Sequence, residues 1–154
     1  MTTLWEQPAE RLREMRPDEF PARRAFASRW SDNDQYGHLN NAVHYQLFDS
    51  AINAWLLEAV SPSEEAGAAV AFVAESGCRY LCEVAFPAPL LVGIAVVHLG
   101  RSSVRYEPAL FSGSERNAGP VALGRWVHVY VDAATRRPTP IPMAIRTALE
   151  GLRR

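Results

Sequence analysis

Lysine is absent: all 16 basic residues are arginine, and 17 acidic residues leave a formal charge of −1. So even a balance excludes a broad nucleic-acid footprint, which needs a strongly basic face. The missing lysine, beside abundant alanine, reads as compositional bias rather than chemistry. Long hydrophobic runs are also lacking. The longest, Leu90 to Val97, falls far short of the ~20 residues a membrane-spanning helix needs. The opening Met1-Thr2-Thr3-Leu4-Trp5-Glu6 has neither a basic start nor an apolar core, which argues against a secretory leader. Cysteine is scarce. Cys78 and Cys82 would stand about 13 Å apart along a strand, too far for a disulfide, and read as reduced core thiols of a cytoplasmic protein.

What is present describes one ordinary domain: 154 residues, 48% of them hydrophobic. A chain of this length buries roughly 68–70% of its unfolded surface and needs no staples. Residues 1–19, charged and interrupted by Pro8 and Pro17, read as an N-terminal appendage with a short helix over Ala9 to Met15. Residues 20–154 form the domain proper. Arg24 to Trp30 reads as a strand with Phe26, Ser28 and Trp30 on one face. A helix follows, N-capped by Asn40 or Asn41 and running to about Ala59. Its apolar residues cover well over half the circumference, so something must wrap around it.

Beyond Gly67 the period becomes that of strands. Ala69 to Val84 reads as one extended segment with a bulge or kink at Gly77. Leu90 to Leu99 and Val104 to Ser112 follow, the latter irregular at Pro108, then a loop from Ser112 to Pro120. Val121 to Val131 alternates most clearly, with Trp126, His128 and Tyr130 on one face. A proline-rich stretch precedes a closing helix from Met143 to Leu152. The expected class is α+β: a curved antiparallel five-stranded sheet around one long buried helix, with short terminal helices. A single sheet cannot cover such a helix fully, which predicts pairing with a second subunit.

The chemistry-bearing stretch is Asp32-Asn33-Asp34-Gln35-Tyr36-Gly37-His38-Leu39-Asn40-Asn41. It sets carboxylates just before a helix N-terminus, whose free N–H groups and dipole favour negative charge. Such N–H groups can stabilise an oxyanion, and a neighbouring carboxylate can attack a carbonyl or activate water. The same residues also serve plain structural ends, Asp and Asn as caps and Gly37 as a supplier of positive φ.

The run Asp32-x-Asp34-x-x-Gly37-His38-Leu39-Asn40-Asn41-Ala42-Val43, continuing to Phe48-Asp49, resembles the 4-hydroxybenzoyl-CoA thioesterase family of hot-dog folds. Arg79-Tyr80-Leu81, Phe86-Pro87, Leu90 to Gly93, Gly100 to Val104 and Arg137-Pro138-x-Pro140-Ile141-Pro142 look like the same family, over about residues 22–145. The resemblance implies a hot-dog fold and hydrolysis of an acyl-CoA thioester to a carboxylic acid and CoA. It implies Asp34 as nucleophile or general base, an oxyanion-binding N–H near Asn41, and Gly37 and His38 shaping the approach. It further implies CoA phosphates held by the turn Arg101, Ser102 and Ser103, with Arg137 and Arg136 assisting; arginine suits bidentate phosphate contact. CoA is then part of the substrate, no metal or other cofactor is implied, and the assembly is a homodimer or a dimer of dimers. His44 stands where the family often has Tyr, Asn53 where it often has Arg, and Ala88 where a small acid or Gly is common. These departures bear on the acyl pocket.

Asp32 reads as a loop-ordering residue, and Asp49 as either a site-orienting group or a partner in a bond across the dimer. His98 and His128 read as sheet residues, Trp126 and Tyr130 as core or interface aromatics. His38, His44 and Asp34 do not make up the converging set a metal needs. A hydratase or dehydratase of the same fold is an alternative. Such enzymes place Asp and His five apart around an Asn-Pro element, whereas Asp34 and His38 are four apart with no proline between. A non-catalytic acyl-CoA-binding domain is the other alternative, and a carrier-protein thioester the other substrate.

Overall fold

The computed structural model describes residues 3–113 and 119–154, and of Glu64 the backbone alone. In chain order the elements are α1 (Ala9–Leu12), β1 (Ala22–Ala27), α2 (Asn41–Ala59), α3 (Glu64–Gly67), β2 (Ala69–Tyr80), β3 (Pro89–Ile94), β4 (Val96–Leu99), β5 (Ser103–Tyr106), β6 (Ala109–Ser112), β7 (Pro120–Asp132) and α4 (Met143–Glu150). β3 and β4 are two halves of one bent strand, as are β5 and β6. The sheet is antiparallel throughout, in the order β1, β3/β4, β5/β6, β7, β2. This is the hot-dog arrangement, one long helix lying on a curved sheet.

The breaks have local causes. Pro108 has no N–H to give a ladder, and the Gly124 N–H donates to its carbonyl instead. Opposite it, the Glu107 N–H donates to the Ala95 carbonyl, and the register slips between Val96 and His98. Along β3, Leu90, Val92 and Ile94 turn to the helix side while Gly93 and Ala95 face outward, where Phe20 packs over Gly93.

Two sequence expectations change. Trp30 does not continue β1 and is 80% exposed, lying in a short 3₁₀ turn edge-on to Phe86. The strand stops because the Ser28 hydroxyl donates to Ala88 O and the Arg29 N–H donates to the Asp32 carboxylate at 2.7 Å, turning the chain. The bulge in β2 sits between Val73 and Glu75, not at Gly77. Gly77 instead gives room to Trp5, whose ring would lie 3.1 Å from an added Cβ. As expected of a single sheet, it covers only one face of α2. His44, Phe48, Ala51 and Ile52 are buried, while Leu57 is 81% exposed. Of the expected Ser112 to Pro120 loop, residues 114–118 lie outside the described residues.

The N-terminal segment crosses the outer face of the sheet. Leu12, Met15 and Phe20 bury against Leu81, Ala95, Phe111 and Leu123. Arg79 donates to the carbonyls of Trp5 and Gln7, and the buried Glu107 carboxylate accepts the N–H groups of Leu4 and Trp5. Among the described residues no helix is long and apolar enough to cross a membrane.

Candidate active site

The loop from Asn33 to Asn40 closes on itself before α2 begins. Asp34 N–H donates to the His38 carbonyl at 2.8 Å, and Gly37 N–H donates to that of Asp34. Gly37 adopts φ +85°, a left-handed conformation that glycine takes without a Cβ penalty. The turn aims two N–H groups at one carboxylate oxygen: Asp34 Oδ1 accepts from Tyr36 at 2.8 Å and from His38 at 3.3 Å. No hydrogen bond to Oδ2 is formed among the described residues.

Asn40 is the N-cap, its Oδ1 accepting from the Ala42 N–H at 2.9 Å. The Asn41 N–H, at the first helical position, is left unclaimed by the helix. The Asp32 carboxylate is buried, and burial alone would raise its pKa. The hydrogen bonds and charge of Arg29 outweigh that and hold the carboxyl below its usual range. Asp32 is thus tied to Arg29, while Asp34 keeps one oxygen open.

Asp34, His38 and Asn41 line one cleft of about 320 Å³, together with His44, Tyr80, Cys82 and Glu83. Leu39 N–H donating to Val84 O at 2.7 Å fastens the loop to the opposite wall. His38 Nε2 pairs with Glu83 at 3.2 Å. Cys78 and Cys82 are free and half-buried; burial pushes the Cys78 thiol up to about 11. Among the described residues no three His, Cys, Asp or Glu side chains converge as a metal site.

The other expected contacts lie elsewhere. The Tyr130 N–H donates to Ser102 O, the Ile141 N–H to Arg101 O, and the Asp132 N–H to Arg137 O. Arg101, Ser102, Ser103 and Arg137 therefore gather at the end of β7 that pairs with the start of β2. The cleft sits at the opposite end, where Tyr80 pairs with Ala122. From Ala122 to Val129, the partner of Ser103, is about 23 Å at ~3.3 Å per residue. One chain brings Asp34, Gly37, His38 and Asn41 together and keeps the arginine turn apart from them. Tyr80, Cys82 and Glu83 were not expected in the cleft, and His44 was expected only as a departure bearing on the acyl pocket. The helical spacing of Asn41 and His44 was the one available signal for His44, and nothing local announced the β2 end.

A thioesterase-like superfamily model matches residues 28–149, which include both the cleft and the arginine turn. The chain belongs to that superfamily. Among solved structures, it is 39% identical to the PA5185 protein of Pseudomonas aeruginosa, covering 89% of this chain and 94% of that one with a TM-score of 0.81. It is 34% identical to a Thermus thermophilus thioesterase crystallised with coenzyme A and Zn, over 86% and 94% of the two chains, TM-score 0.71. A 1,4-dihydroxy-2-naphthoyl-CoA thioesterase from Synechocystis shares the fold at 15% identity, over 82% and 93%, TM-score 0.73. No curated protein sequence matches the chain at a significant level.

Proposed function

We propose that the protein is a cytoplasmic acyl-CoA thioesterase of the 4-hydroxybenzoyl-CoA thioesterase type. The observation that carries this reading is Asp34: one oxygen held by two N–H groups, the other free in a cleft beside an unclaimed first-turn N–H. The thioester carbonyl oxygen would take the Asn41 N–H, and Asp34 Oδ2 would attack the carbonyl carbon or take a proton from water. Gly37 and His38 shape the entrance. The coenzyme A phosphates would meet Arg101, with Ser102, Ser103 and Arg137 around it.

For these groups to serve one substrate, two chains must meet, and the outer edge of β2 supplies the place. It is a twelve-residue strand paired, among the described residues, on one side only, with Phe72 and Val73 nearly half exposed. An edge so long and apolar is a template for another strand. A two-fold axis through its middle would set each chain's Tyr80 end beside its partner's Ala69 end. The partner's Arg101 would then approach the Asp34 cleft. The assembly we favour is accordingly a homodimer, or a dimer of dimers, with no cofactor beyond the CoA of the substrate.

The deciding test is free-thiol release from short, long and aromatic acyl-CoAs by wild type and Asp34→Asn. Asparagine keeps an oxygen for the Tyr36 and His38 N–H groups, so the fold should persist. Turnover should fall at least about 100-fold, or ~2.7 kcal/mol of barrier. Undiminished release by the variant would remove Asp34 from the chemistry. Tight acyl-CoA binding without release by wild type would point to a binding domain instead.

A further inference from the structure

Four carboxylate or imidazole side chains are buried among the described residues: Asp32, His44, Glu107 and His128. Asp32 is held by Arg29, Glu107 by the N–H groups of Leu4 and Trp5, and His128 lies in the sheet edge-on to Tyr106. His44 alone of the four lines the Asp34 cleft. It sits one turn into α2, three residues after Asn41, so the two share a helix face.

Its orientation is set from two sides. Nδ1 lies 3.2 Å from the Asn40 carbonyl, which only accepts, so Nδ1 carries the hydrogen and Nε2 is left with its lone pair. The Tyr80 ring stands edge-on at 5.0 Å and 86°. The titratable groups around it are Asp34 and His38 from the loop, Tyr80 from β2, and Cys82 and Glu83 beyond it. Burial lowers its proton affinity, partly opposed by the Asn40 carbonyl, so the ring is neutral and ready to accept at neutral pH.

We propose that His44 Nε2 is the base that takes the proton of the hydrolytic water, with Asp34 acting as the nucleophile. The assignment rests on the thioesterase reading. In the first half-reaction Asp34 Oδ2 bonds to the acyl carbon, and the C–S bond breaks with its electron pair leaving on sulfur. In the second, water oxygen bonds to that carbon while its proton passes to His44 Nε2. The acyl–Asp34 C–O bond then breaks and its pair returns to the carboxylate. The proton goes from Nε2 to the thiolate or to solvent. The balance is thioester plus water giving acid plus thiol, with nothing oxidised or reduced. The division of labour is reasonable because a carboxylate bonded to the acyl group cannot also act as base for its own release.

The test uses the full chain and an acyl-CoA that wild type hydrolyses. His44→Gln should lower kcat about 100-fold or more and KM in proportion, leaving kcat/KM within a few-fold of wild type because acylation does not use His44. It should abolish the acidic limb of the kcat–pH profile. Mixing it with substrate should release a burst of one thiol per chain, followed by a slow phase, because acyl-Asp34 accumulates; loose packing at position 44 would produce no such burst. Asp34→Asn should show neither burst nor turnover. Long-range ¹H–¹⁵N spectra of wild type, assigned with the His44→Gln or His44→Tyr variant, should show His44 neutral with its hydrogen on Nδ1. Wild-type-like turnover with an intact acidic limb in His44→Gln overturns the role of His44 and leaves the thioesterase reading standing. So does a hydrogen on Nε2. Failure of wild type to release thiol from any thioester overturns both.

Discussion

Substituting Gly124 by alanine tests how the seat of α2 governs the site. Gly124 lies on β7 beneath Phe48, and Phe48 is fully buried one turn after His44. An added Cβ would stand 2.7 Å from Pro108 Cγ and 2.9 Å from two carbons of the Phe48 ring. Ordinary carbon–carbon contact begins near about 3.5 Å, so roughly 0.6–0.8 Å must be yielded. Pro108 cannot yield, being a ring on a backbone fixed by the Gly124 N–H at 2.7 Å. Phe48 must move, and α2 with it. Overpacking of this kind costs about 1–3 kcal/mol. For a chain this long that is about 2–12 °C in Tm, at ~2–4 °C per kcal/mol. Catalytic geometry should suffer too, since a ~1 Å misplacement can cost about 100-fold in rate. Thermal unfolding by circular dichroism, paired with thiol release, reads both effects. Gly124→Ala combined with Phe48→Leu should recover part of the loss by giving the methyl room. Gly67→Ala, with open space at its Cβ, is the control and should not lower Tm. A Gly124→Ala protein melting with wild type, or a double variant with no recovery, would refute the idea that this contact sets the helix height.

Gly37→Ala meets no atom within 4 Å, so its cost is the strain of φ +85° alone. That is about 1–2 kcal/mol, to be read as a drop of roughly 2–8 °C in Tm; an unchanged melt would show that the turn adapts. Arg101→Ala should raise KM for acyl-CoA and leave kcat and Tm near wild type, and unchanged kinetics would remove the phosphate role. The Asp32 carboxyl is depressed in the folded state. Its stabilisation is therefore complete above the unfolded carboxylate value near ~3.9 and is lost as pH falls through the lower folded value. Asp32→Asn should lower Tm at neutral pH by at least ~2 °C, and flatten the loss of Tm on the acid side of pH 4. A parallel acid slope in the variant would assign that slope to other groups.

The features legible in the sequence are those written in local chemistry. An asparagine N-cap at Asn40 or Asn41, the strong alternation of β7 and the positive φ at Gly37 each depend on a residue and its immediate neighbours. The misread features are set by contacts between distant segments. Trp30 alternates correctly with Phe26 and Ser28, yet Ser28 is bonded to Ala88 sixty residues away, and the strand ends there. Gly77 looks like a bulge by composition, but its missing side chain serves Trp5. Nothing near Gly77 in the sequence indicates that Trp5 will cross the sheet at that point.

The candidate site divides along the same line. The loop that presents Asp34 was legible because its hydrogen bonds run between residues two to four apart. The other wall of the cleft comes from Tyr80 to Val84, and its approach depends on the Leu39–Val84 bond, which no local pattern encodes. The separation of Asp34 from Arg101 depends on the whole length of β7, pairing with the cleft end of β2 at Ala122 and with the arginine turn at Val129. A strand that holds the cleft and the arginine turn about 23 Å apart cannot also join them. The same strand forms a ladder with β2, whose other edge is open. In the proposed dimer, a two-fold partner along that edge would turn the separation within one chain into proximity between two, so the length of β7 and the edge of β2 would answer one requirement. Dimer disruption by charges placed at Phe72 and Val73 should therefore abolish turnover while leaving each monomer folded. A monomer that still turns over acyl-CoA at the wild-type rate would show that the Asp34 cleft needs no second chain.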